Sequence, residues 1–465
     1  MVLIMKDLRL SSYTISVKLE AEEDKFFLVH GYTGAIDIVE GECWRQIEHF
    51  SSNNSLSEET IRTLQKRGYL TTRTPEEELQ YVWKIANVLH KAQAKMKKFW
   101  SFVITYDCNF RCPYCFENKI SKNGSQWTKM TFTMEMVDKA YQTMNLIEPH
   151  RELHQDEILL YGGEPCLRNN KDIVAYIIKK GIEGNYKFKI ISNGYDLDYY
   201  EGLLSKDYIN GIQITIDGYK TKHNMRKQHI VEGDSFDKVV SNIGMVLRKE
   251  IHVILRINID ENNSEDLVLL KKFFVENGFA ESPYFYFSPA ILIDTKAKCN
   301  TKDIKFFSSE AFIKMLEDKS LVENQDFQIK NTVLACLKNR KCYKLKSTIC
   351  PSQYGSYMFD PYGDIYTCLE TVGQKQHSIG NYKENLIWTK EKVFWFSKNI
   401  SNMECCCKCR YALLCGGRCL AKTLYTKDKG FEVTECKKFG YQFPRSINFA
   451  YNTFLQYSVN SYVID

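Results

Sequence analysis

The sequence has 465 residues, of which 44% are apolar and 26% charged, and its formal net charge is +6. A chain of this length can form two or three domains with sizeable cores. Its start lacks a basic segment followed by a long apolar run, and no stretch approaches about 18 unbroken apolar residues, so we expect a cytoplasmic protein without a membrane partner. Because cytosolic thiols stay reduced, the 17 cysteines are expected to bind metal or do chemistry rather than form disulfides.

Residues 1–73 are predicted to form a small mixed module. Their pattern predicts three strands, two short helices and a closing strand, at residues 13–19, 26–30, 37–40, 41–50, 55–68 and 69–72. Ser55 and Glu58 are the expected capping box of the second helix, and Gly68 its end. Strands and helices of this size suggest a winged-helix arrangement. A linking helix within residues 74–98 begins with Thr74, a proline and three acidic residues.

Strand and helix patterns alternate regularly over residues 99–290. Six mainly apolar strands are predicted at 102–106, 157–161, 188–192, 212–216, 252–257 and 284–287. Helical stretches lie between them, at 133–147, 171–181, 197–206, 235–249 and 265–277. This alternation predicts an α/β fold, a right-handed (β/α)₆ partial barrel. Residues 291–349 are a less regular connector, and residues 441–465 are an aromatic-rich tail of ambiguous structure.

The segment Cys108-Asn-Phe-Arg-Cys112-Pro-Tyr-Cys115 directly follows the first predicted barrel strand. Three thiolates from one short loop can ligate three irons of a [4Fe–4S] cluster and leave the fourth iron open to a small molecule. A zinc site is the alternative, but zinc usually takes four ligands and no fourth cysteine or histidine is nearby.

This loop resembles the one that defines the radical S-adenosylmethionine (SAM) superfamily. Short motifs at the ends of the next strands are similar to that family's SAM-contacting turns, and β/α barrels place their sites at these ends. The resemblance implies that SAM binds at Tyr114, Gly162, Gly163, Glu164, Ser192, Asn193 and Thr215. The turn at Asp217-Gly218 and the residues Arg226 and Arg256-Ile-Asn258 extend the likeness more weakly.

The C-terminal cysteines resemble a SPASM domain, which carries two auxiliary [4Fe–4S] clusters and is expected here over residues 350–440. The resemblance implies one cluster on Cys350, Cys368 and Cys419 with an upstream cysteine, Cys342 or its rival Cys336. It implies a second cluster on Cys406, Cys409, Cys415 and Cys436. Two zinc sites are the alternative, since CxxC is equally a zinc motif. Eleven thiolates and three cluster cores of roughly +2 would reduce the net charge to about +1, which removes the argument for a nucleic-acid partner.

Enzymes that join these two modules mostly modify peptides, so the resemblance implies a radical SAM oxidoreductase that cleaves SAM to a 5′-deoxyadenosyl radical and abstracts hydrogen from a precursor peptide. A thioether crosslink is the expected product. The N-terminal module is expected to bind the precursor's leader as an added strand, and a flavodoxin or ferredoxin is the expected electron donor.

Several alternatives stay open. The peptide crosslink could be carbon–carbon. Anaerobic sulfatase maturases are a second branch, but their general base is an Asp after the second SPASM cysteine, where this sequence has Leu369. The module could instead be a DNA-binding winged helix or a barrel cap, although its second helix shows no concentration of basic residues. A catalytically idle adaptor is the remaining alternative.

Overall fold

A computed structural model describes residues 8–51, 55–115, 117, 124–292, 304–319, 327–403, 405–417, 419–421 and 431–460. The side chains of a few residues within these ranges, including Cys436, are outside the description.

The N-terminal region has the strands and helices that its pattern predicts. In chain order they are β1 (Arg9–Leu10), β2 (Thr14–Lys18), β3 (Lys25–His30), β4 (Ile36–Glu40), α1 (Gly41–Glu48), α2 (Glu58–Arg67), β5 (Leu70–Thr71) and α3 (Pro75–Gln93). Strands β2, β3 and β4 form an antiparallel sheet with β3 in the centre, and β1 pairs with β5. Ser57, rather than the predicted Ser55, caps α2 by accepting a hydrogen bond from the Thr60 N–H. The capping box is instead at Thr74 and Glu77, where α3 begins.

The middle of the chain forms the predicted α/β alternation. Its elements are β6 (Lys98–Val103), α4 (Ser125–Thr128), α5 (Met134–Ile147), β7 (His154–Tyr161), α6 (Lys171–Glu183), β8 (Lys187–Ser192), β9 (Ile209–Thr215), α7 (Lys220–Arg226), α8 (Phe236–Arg248), β10 (His252–Ile259), α9 (Asp266–Glu276) and β11 (Phe285–Ile291). The six strands are parallel and pair in chain order. Two predictions need correction: the first strand lies at 98–103 rather than 102–106, and the stretch predicted as a helix at 197–206 is a 3₁₀ helix, Leu197–Leu203.

The C-terminal half adds short strands and several helices. They are α10 (Ser309–Asp318), α11 (Phe327–Asn339), β12 (Ser356–Phe359), β13 (Asp364–Tyr366), β14 (Gly380–Asn381), β15 (Ile387–Trp388), α12 (Lys390–Ser397), α13 (Ala412–Cys415) and α14 (Phe431–Asn460). Strand β12 pairs in parallel with β6, and β13, β14 and β15 follow as antiparallel neighbours. The barrel sheet therefore has ten strands, four of them contributed by residues 356–388.

The chain divides into two compact units. The first consists of Met1–Ala94, Asp326–Cys350 and Lys398–Asp465, and the second of Lys95–Gln325 and Pro351–Ser397. In the first unit, β2 and β3 pack against α11 and α14: Ile15, Phe27 and Val29 share one apolar cluster with Val333, Phe443 and Ile447. The N-terminal sheet thus shares its core with segments more than 300 residues away in sequence.

The second unit is built on the ordinary alternation of β-strand side chains. Residues that face the helices are completely buried, for example Leu160, Phe188 and Leu255. Phe188 fits so closely against α6 that a Cβ on Gly181 would lie 2.2 Å from its ring. The helices therefore hold the strands rigidly, with the carboxyl ends of the six barrel strands at one edge of the sheet. Among the described residues, no helix is long and apolar enough to cross a membrane.

Candidate active site

The predicted site residues follow the ends of β6, β7, β8 and β9, and neighbouring strand ends meet at the same edge of a parallel sheet. Beyond β7, Gly162 and Gly163 run directly along the backbone that precedes Cys108. A Cβ on Gly162 would lie 2.4 Å from the Thr105 carbonyl oxygen, and one on Gly163 would lie 2.3 Å from that of Asp107. The main-chain N–H groups of Gly163 and Glu164 donate to these same two oxygens, at 2.9 and 2.8 Å. Only glycine permits this contact between turn and cysteine loop.

Glu164 connects neighbouring strand ends through its hydrogen bonds. Its carboxylate accepts hydrogen bonds from the Asn193 N–H at 2.6 Å, the Ser192 hydroxyl at 2.7 Å and the Cys166 N–H at 2.9 Å. Burial raises its pKa to about 7 in spite of these hydrogen bonds. Asn193 in turn has its side-chain amide 3.9 Å from the Cys108 sulfur. The structure therefore brings together Cys108, Glu164, Ser192 and Asn193, four of the residues that the sequence predicts for the cofactor site.

A second network surrounds Tyr114. Its hydroxyl donates to the fully buried carboxylate of Asp217, and the Asn258 side-chain amide lies 3.4 Å from the same hydroxyl. The guanidinium of Arg226 lies over the Tyr114 ring at 5.3 Å and donates to Asp260 at 2.7 Å. Its Nε lies 3.6 Å from Oδ2 of Asp217 in an ion pair, and its Nη2 is buried without a hydrogen-bond partner among the described residues. One oriented donor of a buried cation, Nη2, thus remains for an anionic ligand group.

Thr215 stands apart from these networks. It is the last residue of β9, in register with Arg256 of β10, and it is 9% exposed. Within the described part of the chain, its hydroxyl makes no hydrogen bond to the other predicted SAM residues. Its role as a SAM contact therefore stays a prediction.

The three cysteines of the loop are partly buried. Burial raises the pKa of Cys108, Cys112 and Cys115, and the charges of Cys112 and Cys115 raise that of Cys108 further. Lys227, which the sequence reasoning missed, has its Nζ 3.8 Å from the Cys112 sulfur and is itself 5% exposed. No group of three His, Cys, Asp or Glu side chains among the described residues is arranged to hold a single metal ion.

Two further buried residues, Glu117 and Tyr161, lie beside the loop, and no sequence motif indicates them. Burial raises the pKa of Glu117 to about 8, and its Oε1 has no hydrogen-bond partner within the described ranges. Burial, then the charges of Glu117, Cys115 and Glu370, raise the pKa of Tyr161. Glu370 therefore lies close to the end of β7, two residues after Cys368.

A comparison with protein-family models identifies the barrel. Residues 102–274 match the Radical SAM superfamily. This chain contains a radical SAM domain. The family uses a [4Fe–4S] cluster and SAM, and the match contains the cysteine loop, the Gly162-Gly163-Glu164 turn and the strand ends already described.

Curated relatives cover different lengths of this radical SAM enzyme. A putative glycyl-radical enzyme activating enzyme of Methanocaldococcus jannaschii is 31% identical over 122 residues, which is 26% of this chain and 41% of that relative. A cysteine-type anaerobic sulfatase-maturating enzyme of Clostridium perfringens is 23% identical over 376 residues, 74% of this chain and 96% of the relative.

Solved structures confirm the predicted fold, a radical SAM α/β core with a cysteine-rich C-terminal region. The structure of anSMEcpe with bound AdoMet and the Cp18Cys peptide aligns with a TM-score of 0.56 at 17% identity, covering 77% of this chain and 99% of that one. Streptococcus suis SuiB bound to precursor peptide SuiA aligns with a TM-score of 0.50 at 14% identity, covering 91% of this chain and 98% of that one.

The residues of this radical SAM enzyme fit the family's two cofactors. Cys108, Cys112 and Cys115 would supply the three thiolates of an iron–sulfur site, on a partly buried loop with the Lys227 cation beside it. The free Nη2 donor of Arg226 suits the carboxylate of SAM, and the carboxylate of Glu164 suits its amino group. The donor set therefore matches both groups without any change of residue type.

The C-terminal cysteines of the enzyme have varied surroundings. Cys406 is buried against Ile400, Met403 and Leu413, while Cys409 is partly buried at the same apolar cluster. Cys336 is buried and its thiol lies 3.5 Å from the carbonyl oxygen of Cys342, whose own side chain is exposed.

The Cys415 thiol lies 3.4 Å from the Gly417 carbonyl oxygen. Cys350 and Cys419 belong to the first unit and Cys368 to the second. The side chain of Cys436 is outside the described residues. The auxiliary ligand sets, including the choice of Cys342 over Cys336, stay predictions.

Proposed function

We propose that this radical SAM enzyme is a peptide maturase that forms a thioether crosslink in a ribosomally made precursor. The observation that carries the proposal is the edge strand β4, which among the described residues pairs only with β3, in a unit that also contains most of the C-terminal cysteines. The relatives support the substrate class: one is a sulfatase-maturating enzyme, and two of the similar structures contain a peptide.

The outer edge of β4 offers backbone groups to a peptide strand. The Ile36 carbonyl points away from β3, because it accepts a hydrogen bond from Arg67 at 2.7 Å. Alternation along an antiparallel strand places the N–H and C=O of Ile38 on the same outer edge, and the Ile38 side chain is 38% exposed. One outward carbonyl of the opposite edge strand is likewise occupied, since Asn448 of α14 donates to the Lys18 carbonyl at the end of β2. A leader strand that pairs with β4 would gain several main-chain hydrogen bonds at once.

In the barrel, each residue has a distinct task. When bound, the cluster and SAM supply the radical chemistry that removes hydrogen from the substrate, with an electron from a flavodoxin or ferredoxin. Glu164 orients the SAM amino group, and Arg226 holds its carboxylate. Gly162 and Gly163 keep these residues against the cysteine loop. Two auxiliary clusters on the C-terminal cysteines complete the proposed cofactor set of three.

Sulfatase maturation is the second candidate, and the Clostridium perfringens relative favours it. The residue after Cys368 is Leu369, where that branch uses an aspartate as general base, and this speaks against it. SuiB also aligns over a larger share of this chain than anSMEcpe does, 91% against 77%. Leu369 and this coverage support the crosslinking proposal over sulfatase maturation.

The test is mass spectrometry of a precursor peptide encoded beside this gene, after anaerobic incubation with enzyme, SAM and reductant. A thioether removes two hydrogens and makes one cysteine thiol inert to alkylation. A carbon–carbon crosslink removes two hydrogens and leaves every thiol reactive. Formylglycine formation removes the sulfur and creates an aldehyde that a hydrazide reagent captures. Loss of hydrogen without loss of an alkylatable thiol would contradict the thioether proposal.

A further inference from the structure

Lys227 is a buried lysine beside the cysteine loop to which no motif assigns a role. It directly follows α7, and both of its main-chain polar groups are held: its N–H donates to the His223 carbonyl at 2.7 Å, and its carbonyl accepts from the Ser235 hydroxyl at 2.7 Å. His223 and Ser235 also contact each other at 3.0 Å. The position of the Lys227 backbone is therefore set by two neighbours that are themselves fully enclosed.

The segment that carries Lys227 is also bonded to the cysteine loop. The Arg111 N–H donates to the Gln228 carbonyl at 3.1 Å, and the Ile230 N–H donates to the Asn109 carbonyl at 2.9 Å. Main-chain hydrogen bonds thus fix the segment that carries Lys227 against the loop that carries the thiols.

The ammonium group of Lys227 lies closest to sulfur. Its Nζ is 3.8 Å from the Cys112 sulfur, and the charges of Cys112, Asp217, Cys108 and Cys115 act on it, in decreasing order. Within the described ranges, no carboxylate lies at ion-pair distance from it, because Asp217 pairs instead with the neighbouring Arg226 at 3.6 Å and accepts a hydrogen bond from the Tyr114 hydroxyl. A buried cation without an anionic partner is unfavourable. The anionic partner that this position implies is the set of loop thiolates in their cluster-bound form.

The charge balance shows what such a cation does. A [4Fe–4S] core of about +2 with three thiolates has a net charge of about −1, and reduction adds one more negative charge. A fixed positive charge and an N–H···S hydrogen bond both stabilise the more negative state, and hydrogen bonds to the sulfurs and net charge are known determinants of cluster potential.

We propose that Lys227 sets the reduction potential of the SAM-binding cluster, raising it through Cys112 so that a cellular donor can reduce it. One electron passes from a low-potential redox protein, or from dithionite in vitro, to the cluster. No bond is formed or broken in this step, and Lys227 keeps its proton. The residue acts through a ligand and touches neither SAM nor peptide.

The experiment is an electron paramagnetic resonance redox titration of the reconstituted full-length enzyme without peptide. The signal followed is the one that changes on addition of SAM, which distinguishes this cluster from auxiliary ones. The variants are Lys227→Met, which removes charge and donor, Lys227→Gln, which keeps a donor, and Lys227→Arg, which keeps both. Lys222→Met is the matched control, since it removes a lysine from α7, the helix directly before Lys227.

We expect the ratio of reduced to oxidised cluster at a fixed potential to fall at least ten-fold in Lys227→Met, which is a shift of about 59 mV to a more negative potential for one electron. Lys227→Gln should shift in the same direction, and Lys227→Arg and Lys222→Met should match the wild type. An unchanged potential in Lys227→Met with full iron content would overturn the proposal. Loss of the SAM-sensitive cluster from both neutral variants, with a native circular dichroism spectrum, would also overturn it, because Lys227 would then hold the cluster rather than tune it. The titration contains no peptide, so its outcome is independent of the proposed substrate.

Discussion

The hydroxyl of Tyr106 donates a 2.8 Å hydrogen bond to Oδ2 of Asp360, a carboxyl group that is completely buried. The bond joins the end of β6 to the end of β12, beside a stack in which Trp127 lies between Tyr106 and Tyr362. The other oxygen of Asp360 accepts the N–H groups of Tyr362 and Asp364. Burial, followed by the charge of Asp364, raises the pKa of Asp360 to about 7.

This pKa predicts a pH dependence of stability. The folded-state pKa is above the unfolded value, so the group's contribution is fully present at low pH and is lost as the pH rises from about 4 to about 7. Asp360→Asn keeps the two main-chain hydrogen bonds and cannot ionise. We expect the melting temperature of this variant, relative to that of the wild type, to rise between pH 5 and pH 7.5. The rise should be roughly 2–4 °C for each kcal/mol of stability that the wild type loses when Asp360 ionises. A constant difference across this range would show that Asp360 stays ionised in the fold.

Gly163→Ala should disturb the cofactor site without affecting the rest of the fold. The new Cβ would lie 2.3 Å from the Asp107 carbonyl oxygen, so the turn must move away from the cysteine loop. We expect SAM affinity to fall at least ten-fold, equivalent to about 1.4 kcal/mol, when measured by calorimetry. Gly202→Ala is the matched control, because a Cβ there meets no atom within 4 Å. Equal affinities in the two variants would contradict the role given to the turn.

Anaerobic reconstitution should load about 12 iron and 12 sulfide, as three cubane clusters require. The double change Cys112→Ala/Cys115→Ala should remove only about four iron, since it affects one ligand set. Iron analysis together with zinc analysis tests this. If the wild type contains only about four iron together with stoichiometric zinc, the auxiliary sites bind zinc and not iron–sulfur clusters.

Cys108→Ala should abolish the conversion of SAM to 5′-deoxyadenosine by dithionite-reduced enzyme. The mutation removes one of the three predicted ligands. It also removes the contact with Asn193, which links the cysteine loop to Glu164. Cys43→Ala, a change in the N-terminal sheet region, is the control and should leave turnover intact. Undiminished 5′-deoxyadenosine from Cys108→Ala would refute the cluster assignment.

Ile38→Pro should weaken binding of the precursor's leader. Proline removes the outward N–H of β4 and leaves the hydrogen bonds between β3 and β4 in place, because those use Asp37 and Val39. We expect at least a ten-fold loss of affinity by calorimetry, while SAM cleavage without peptide is unchanged. Ser16→Pro, the same change on the outer edge of β2, is the matched control. An equal loss of leader affinity in both variants would contradict binding of the leader at β4.

Point variants are a cleaner test of the leader site than removal of residues 1–73. Phe27 and Val29 of β3 pack against Val333, Phe443 and Ile447. Deleting the strand would expose that apolar surface and destabilise the unit that contains the C-terminal cysteines. A truncated enzyme that binds no peptide would therefore not distinguish a lost site from a lost core.

Much of the barrel could be predicted from local patterns. Apolar strands, intervening helices and the three spaced cysteines are all encoded within short segments, and five of the six barrel strands lie where the pattern placed them. The exception, β6, ends at Val103 because the residues that follow turn into the cysteine loop, with Ile104 still bonded to Tyr161. Apolar character alone does not show where such a strand ends.

The sequence by itself determined which residues can form the cofactor site, because ligand spacing and strand-end motifs are properties of contiguous segments and parallel strands bring their ends to one edge. Only the tertiary structure decided the rest. The partners of Lys227, the burial of Asp360 and the extension of the sheet by β12 depend on contacts between residues about 100 to 250 positions apart. The packing of β3 against α11 and α14 joins residues more than 300 positions apart. Such contacts are selected by the complementary shape and burial of whole elements, and no local pattern of side chains records them.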